Sequence, residues 1–148
     1  MELSGAEKLM TLTLETVYEE EVVQIKLSKE AAVLQLSFLQ HPASEQFRNA
    51  YRLAIDLAQM KGVRYWLTDA QRIKSMLPEN QAWLVQNMAP LFSSQQLKKF
   101  AIVMAPECFV MTNPTKVYEK PVAPEAPSAK PIKVHFDKDA AYQWLLED

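Results

Sequence analysis

Apolar and polar residues alternate along the chain from Glu15, and the alternation sharpens towards Leu27. Val23, Ile25 and Leu27 fall on one side, with Gln24 and Lys26 on the other. That period of two is the mark of a half-buried strand and predicts one over residues 15–27. A polar turn at Ser28–Glu30 leads into AAVLQLSFLQ, where Leu34, Leu36 and Phe38 share a face. Two such runs around a short turn predict a β-hairpin. Glu19, Glu20 and Glu21 then fall on its first strand, where a run of acids reads as a solvated edge that resists pairing with another chain. Residues 1–14 alternate only weakly through Leu9, Met10, Leu12 and Leu14 and are set apart as an N-terminal tail, frayed or forming a short helix.

Beyond the hairpin the period changes to that of a helix. His41-Pro42 ends the second strand, because a residue before proline is pushed away from helical geometry. Ser44 supplies a hydroxyl for an N-cap. Phe47, Tyr51, Ala54 and Ala58, with Ala50 and Leu57 beside them, form one apolar face, and Gly62 is placed as a left-handed C-cap. The stretch Arg64–Leu97 forms the centre of the chain. It predicts a buried strand at Tyr65–Thr68, a polar turn opening at Asp69, and a helix with Pro78 in its first position. That helix buries Leu84, Met88 and Leu91, and Pro90 is expected to kink or break it near its end.

KFAIVMA, residues 99–105, predicts another strand with Phe100, Ile102 and Met104 on one face. ECFVMT reads as one or two helical turns, and residues 113–131, carrying five prolines, read as an irregular connection. Ile132, Val134 and Phe136 mark the last strand. Asp137 caps a terminal helix that packs Ala141, Trp144 and Leu145 inward.

Helix–strand alternation of this length implies parallel strands joined by right-handed crossovers. The fold class is therefore α/β: an N-terminal β-hairpin followed by a (βα)n superhelix, a mostly parallel sheet, and helices mainly on one face. If strand order is sequential, every crossover helix lies on the same side. One strand face is strongly apolar, and the other carries Gln35, Ser37, small alanines around Val103, Lys133 and His135. This contrast predicts a sheet covered on one side. Tyr65/Leu67 and Trp66/Thr68 are equally able to face the core. A single domain spans 15–148, with 113–131 as a connection within it.

Composition narrows the function classes. The 148 residues are 49% hydrophobic and 23% charged, ordinary for one globular domain. A net charge of −2, from 16 basic and 18 acidic residues, gives no electrostatic reason to expect nucleic acid. Cys108 is the only cysteine, which precludes an intrachain disulfide. The N-terminus lacks a basic segment followed by an apolar run, and no apolar run approaches the ~20 residues that span a bilayer. The expectation is a cytoplasmic protein without integral membrane association.

Candidate chemistry is sparse. The two histidines, His41 and His135, lack metal-ligand spacing. Cys108 with His135 is the one conceivable nucleophile pair, but Phe109 and Val110 beside the cysteine favour a structural role. Gly5 and Gly62 are the only glycines, and neither lies in a strand-to-helix loop that cradles phosphate. The strand C-terminal edge carries Asp69, Glu79 and Glu107, which repel phosphates. Asp69 reads as a turn-forming residue bonding the backbone two residues on. PVAPEAPSAKP has the three-residue proline spacing of a polyproline II ligand, though a stiff surface connection explains it as well. No cofactor, metal or catalytic residue is assigned, and the chain is expected not to be an enzyme.

The hairpin, the βα superhelix and the strand–turn–helix centre together resemble the STAS domain, the SpoIIAA-like fold. WLTDAQRIKSMLPENQAWLVQNMAPL, LKKFAIVM and DAAYQWLL resemble small bacterial STAS/SEC14-like proteins without assigned function, over residues 15–148. The resemblance implies a regulatory protein–protein interaction domain. Anti-sigma-factor antagonists of the family carry a phosphorylatable serine at the start of the central helix. That place here is Leu77-Pro78-Glu79, which holds no hydroxyl, and Ser75 lies two residues upstream. The implied partner-binding surface is the central helix and its turn, with Asp69, Arg72, Lys74, Ser75, Glu79, Asn80 and Trp83 as candidates. The partner is another protein or a second copy of the chain. The SEC14-like likeness offers a small apolar ligand as the alternative, with seven methionines available to line a pocket.

Overall fold

The computed structural model describes residues 12–108 and 132–147. Six strands form one sheet in sequential order: β1 (Glu15–Glu19), β2 (Val23–Ser28), β3 (Val33–Phe38), β4 (Tyr65–Ala70), β5 (Lys99–Met104) and β6 (Ile132–His135). β1 pairs with β2 and β2 with β3 antiparallel, and β3 through β6 are parallel. Helix α1 (Ser44–Lys61) connects β3 to β4, α2 (Pro78–Ser93) connects β4 to β5, and α3 (Lys138–Leu146) follows β6. The α/β architecture read from the sequence is the one observed. No described helix is long and apolar enough to cross a membrane.

The first expected strand is in fact two. The chain reverses after Glu19, with Glu20 N–H donating to the carbonyl of Val23 at 2.8 Å. Glu20 and Glu21 thus lie in a turn rather than on a strand, where three adjacent carboxylates remain in water. β1 is exposed at every residue and its register slips between Thr16 and Tyr18. Such a bulge blunts an edge strand.

Trp66 and Ala70 face the main core on β4, together with Thr68, and this resolves the ambiguity of that strand. Trp66 is fully buried, stacked on Tyr51 of α1 with ring centroids 6.0 Å apart and tilted against Phe100 of β5 at 5.8 Å. Phe47 stands between Phe38 and Tyr51, so one aromatic series runs from β3 through α1 to β5. Each such pair adds about 0.5–1.5 kcal/mol beyond its buried area. Leu84, Met88 and Leu91 of α2 complete this core. Met76, Met88 and Met104 are themselves buried there.

The reverse face of the sheet is covered as well, which corrects the one-sided expectation. Val33, Leu67, Ala101 and Val103 pack under Ala141, Tyr142, Leu145 and Leu146 of α3. Only a helix between two parallel strands is bound by crossover handedness. α3 follows the last strand and is free to fold back on the other side. Leu12 and Leu14, expected in a tail, pack against this second cluster. Tyr142, absent from the expected core, is buried, whereas Trp144 is half-buried. Phe136 lies past the end of β6 and is 52% exposed.

Helix ends follow local chemistry with two departures. Gly62 takes φ 65 and ends α1, as its position implies. Asp137 caps α3 by accepting from Ala140 N–H at 2.8 Å. Ser44, however, is the first helical residue of α1, and Ala43 holds the cap position. Pro90 does not end α2, which continues to Ser93 and stops at Gln95 with φ 63. A proline there forfeits one backbone bond, but Leu91 is held in the core one residue later. β4 extends to Ala70, so the turn opens at Gln71 rather than at Asp69, and β5 ends at Met104. Pro106–Cys108 begins a helical turn. The rest of ECFVMT, the 113–131 connection with PVAPEAPSAKP, and residues 1–11 lie outside the described residues.

Candidate functional site

The C-terminal edge of β3 and β4 opens into a groove of about 540 Å³. One wall is the 39–43 loop and the first turn of α1, with His41, Pro42 and Phe47. The other is the 71–77 loop and the first turn of α2, with Ile73, Met76 and Leu77. This is where open α/β sheets present their ligand edge, beyond the carboxyl ends of the strands. A smaller depression of about 300 Å³ lies at the opposite edge, among Leu12, Ala31, Tyr65 and Leu146. The larger groove is the better candidate because loops and helix N-termini converge on it.

Direct bonds hold the two walls together. Lys74 N–H donates to His41 Nδ1 at 3.1 Å. Asn80 Nδ2 donates to Ser44 Oγ at 3.0 Å, and Arg48 Nε donates to Asn80 Oδ1 at 2.9 Å. Gln81 Nε2 donates to the Met76 carbonyl at 3.1 Å and fixes the loop against α2. The groove is therefore a preset shape. Both helices begin without a side-chain cap from their N-cap residues, Ala43 and Leu77. Gln46 Oε1 reaches back to Ala43 N–H at 2.8 Å, and Pro78 removes one donor from α2. Leu77 leaves 48% of its surface in solvent at the groove rim. Ile73 and Met76 are buried behind this wall, so the exposed leucine is its apolar contact point, framed by hydroxyls and amides.

The seven candidate residues divide in four ways. Arg72, Lys74, Ser75 and Glu79 are exposed on the turn and the start of α2, with Ser75 lining the groove. Asn80 is only 6% exposed and braces the groove from within through its bonds to Ser44 and Arg48. Trp83 is half-buried beneath two arginines of α1, with Arg48 Cζ 5.7 Å and Arg52 Cζ 5.3 Å from its ring centroid. Asp69 is set apart from the others. Residues alternate faces along a strand, and Asp69 falls on the α3 side of the sheet. There its Oδ2 meets Lys138 Nζ at 3.1 Å while its Oδ1 accepts from Gln71 N–H at 3.2 Å. The second bond is the turn bond to the residue two positions on.

The polar groups beneath α3 form a separate buried set. Tyr142 donates its hydroxyl to Gln35 Oε1, and Gln35 Nε2 donates to Ser37 Oγ at 3.0 Å. Burial, with the Asp69 charge adding to it, pushes the Tyr142 phenol above its usual range, so it stays a protonated donor at neutral pH. His135 packs at a tilt against Trp144 with centroids 5.6 Å apart. Its Nδ1 is buried with no hydrogen-bond partner among the described residues. Burial, and then the nearby Lys133, lower its pKa. Cys108 lies in the main core, across the sheet from His135, so the two do not form a pair. Among the described residues no three His, Cys, Asp or Glu converge to hold a metal ion.

Arg48, Arg52, Lys138 and Tyr142 were not singled out by sequence reasoning, and His41 was weighed only as a strand end and a metal ligand. Arg48 and Arg52 stand four apart on one helix and so share a side. Only the packing of α1 against α2 brings the Trp83 ring beneath both. Compared with protein-family models, with curated proteins and with solved structures, the chain returns no match in any of the three.

Proposed function

We propose that the chain is a non-enzymatic, STAS-like interaction domain that docks a partner protein in the groove between the 39–43 and 71–77 loops. The observation that carries this reading is the preset groove with Leu77 exposed at its rim. Apolar surface held open to water beside fixed polar groups is what a docking site offers. Leu77-Pro78-Glu79 takes the place of the family's phosphorylated serine, so partner binding here is constitutive or controlled elsewhere. Ser75, exposed on the groove wall two residues before Leu77, is a nearby hydroxyl open to modification.

The test is affinity capture with wild-type protein and with Leu77→Asp. The substitution places a carboxylate at the apolar rim without touching the core. Loss of the captured proteins supports the reading, and identical capture by both proteins refutes it. The apolar walls also favour a small apolar ligand as a second reading. A mass lost between native and denaturing mass spectra of fresh protein would identify that case.

A further inference from the structure

The most unusual surface feature is the pair of guanidinium groups over one indole. Arg48 and Arg52 lie one helical turn apart, both within cation–π range of Trp83. Like charges at this spacing on a helix repel and are not a source of stability. Each is held by a neutral amide: Arg48 Nε by Asn80 Oδ1 and Arg52 Nη1 by Asn49 Oδ1, both at 2.9 Å. Among the described residues neither has a carboxylate within ion-pair distance. Asn80, buried and bonded to Ser44, fixes the first of these groups from below. Two cations are thus pre-oriented by uncharged partners, and their remaining N–H groups are left for an acceptor from outside.

We infer that Arg48, Arg52 and Trp83 form a receptor for an acidic segment of the partner protein, continuous with the groove above it. The inference rests on the docking reading and adds the chemistry of what docks. Asn80 and Ser44 line the groove and also brace Arg48, so the two surfaces share one wall. A segment with an apolar side chain against the exposed Leu77 carries its Asp or Glu side chains one turn down the α1–α2 seam. There the guanidinium forks take carboxylates, and the Trp83 face adds apolar contact. An acidic amphipathic segment fits both surfaces. A bare phosphate uses only the arginines.

The test is fluorescence anisotropy of the full chain with a short fluorescein-labelled peptide of alternating glutamate and leucine. The matched glutamine–leucine peptide and inorganic phosphate at equal ionic strength serve as comparisons. The glutamate peptide is expected to bind saturably, at least about tenfold tighter than its glutamine counterpart, and to weaken with added salt. Arg52→Gln, which is exposed and carries no core contact, is expected to cost about tenfold, with Arg52→Lys only partly restoring binding. Arg48→Gln is expected to act alike, and Arg52→Gln decides the matter if Arg48→Gln lowers folding stability. Equal binding of the two peptides, no saturable binding, or no effect of Arg52→Gln overturns the inference. Displacement of the peptide by phosphate overturns it too, in favour of a phosphate ligand. If Leu77→Asp abolishes capture while Arg52→Gln does not, the docking reading stands and this inference alone fails. If neither variant alters capture, both fail.

Discussion

Asn80 Nδ2 donates to Ser44 Oγ at 3.0 Å, joining the first turns of α1 and α2 at the mouth of the groove. The same amide accepts from Arg48 at 2.9 Å, so one buried side chain sets both the spacing of the loops and the aim of the arginine. Asn80→Ala leaves the Ser44 and Arg48 groups to find water in a partly closed site. The expected cost is about 1–3 kcal/mol in urea unfolding, with weaker acidic-peptide binding alongside. Asn80→Ala with unchanged stability and binding would show that the brace is incidental.

Leu77 offers a cleaner separation of folding from binding. It occupies the N-cap of α2 with no side chain able to bond the first turn. Leu77→Asp supplies that acceptor and places a negative charge at the positive end of the helix. We expect the variant to be more stable than wild type by about 0.5–1 kcal/mol in thermal or urea unfolding, while losing partner capture. A variant that binds less only because it unfolds would contradict this.

Thr68 is the polar centre of the main core. Its Oγ1 accepts from the Tyr51 hydroxyl and from Trp66 Nε1, each at 2.9 Å, and all three residues are fully buried. Thr68→Val removes the acceptor and strands two donors, for an expected loss of about 2–5 kcal/mol. Tyr51→Phe alone is expected to cost about 1 kcal/mol. In the Thr68→Val background the same change is expected to stabilise, because it removes a stranded hydroxyl. A double-mutant cycle in urea checks the reversal of sign.

Much of this was legible beforehand because the pattern and the packing agree. Phe47, Tyr51, Ala54 and Ala58 face the core as their spacing implies, and Gly62 ends its helix with φ 65. The parallel four-strand part also followed from element order, and the sequential order taken there as a condition is the one observed. What was not legible depends on contacts far apart in sequence. Val33, Leu67, Ala101 and Val103 mix with polar neighbours on their strands, so the α3 face looked solvated until Tyr142 was seen to satisfy Gln35. Asp69 and Glu79 look like one site along the chain, but strand alternation sends Asp69 through the sheet to Lys138. The arginine pair is invisible without the angle at which α2 presents Trp83.

The C-terminal end of α2 carries a correctable strain. Gln95 adopts φ 63, a left-handed conformation that side chains disfavour, whereas Gly62 serves the same role at α1 without strain. Gln95→Gly is expected to stabilise by about 0.5–1 kcal/mol, and Gly62→Ala to destabilise by about 1–2 kcal/mol. No atom lies within 4 Å of a Cβ built at Gly62, so that cost is one of backbone conformation and not of crowding. Thermal unfolding of the two variants measures both signs.

His135 makes stability depend on pH. Burial against Trp144 and the charge of Lys133 lower its pKa in the folded state, with the Lys133 backbone and then the Asp137 charge opposing them. The unfolded chain then binds a proton more readily than the folded one below about pH 6.5. Stability from this group is present above that pH and is lost as pH falls through the window down to the lowered folded value. Urea midpoints are expected to drop as pH falls below about 6.5, and the drop is expected to shrink in His135→Gln. An equal drop in the variant would assign the effect to other groups.

The central claim is that partners dock in the groove at the C-terminal edge of β3 and β4. The most direct measurement is photocrosslinking in cell extract from a reactive residue placed at Ser75 on the groove wall. The same residue placed at Met60, 73% exposed near the far end of α1, is the comparison. The expected result is a discrete adduct from position 75 that Leu77→Asp abolishes, and none from position 60. The same adducts from both positions, or an adduct at 75 that survives Leu77→Asp, would contradict the claim.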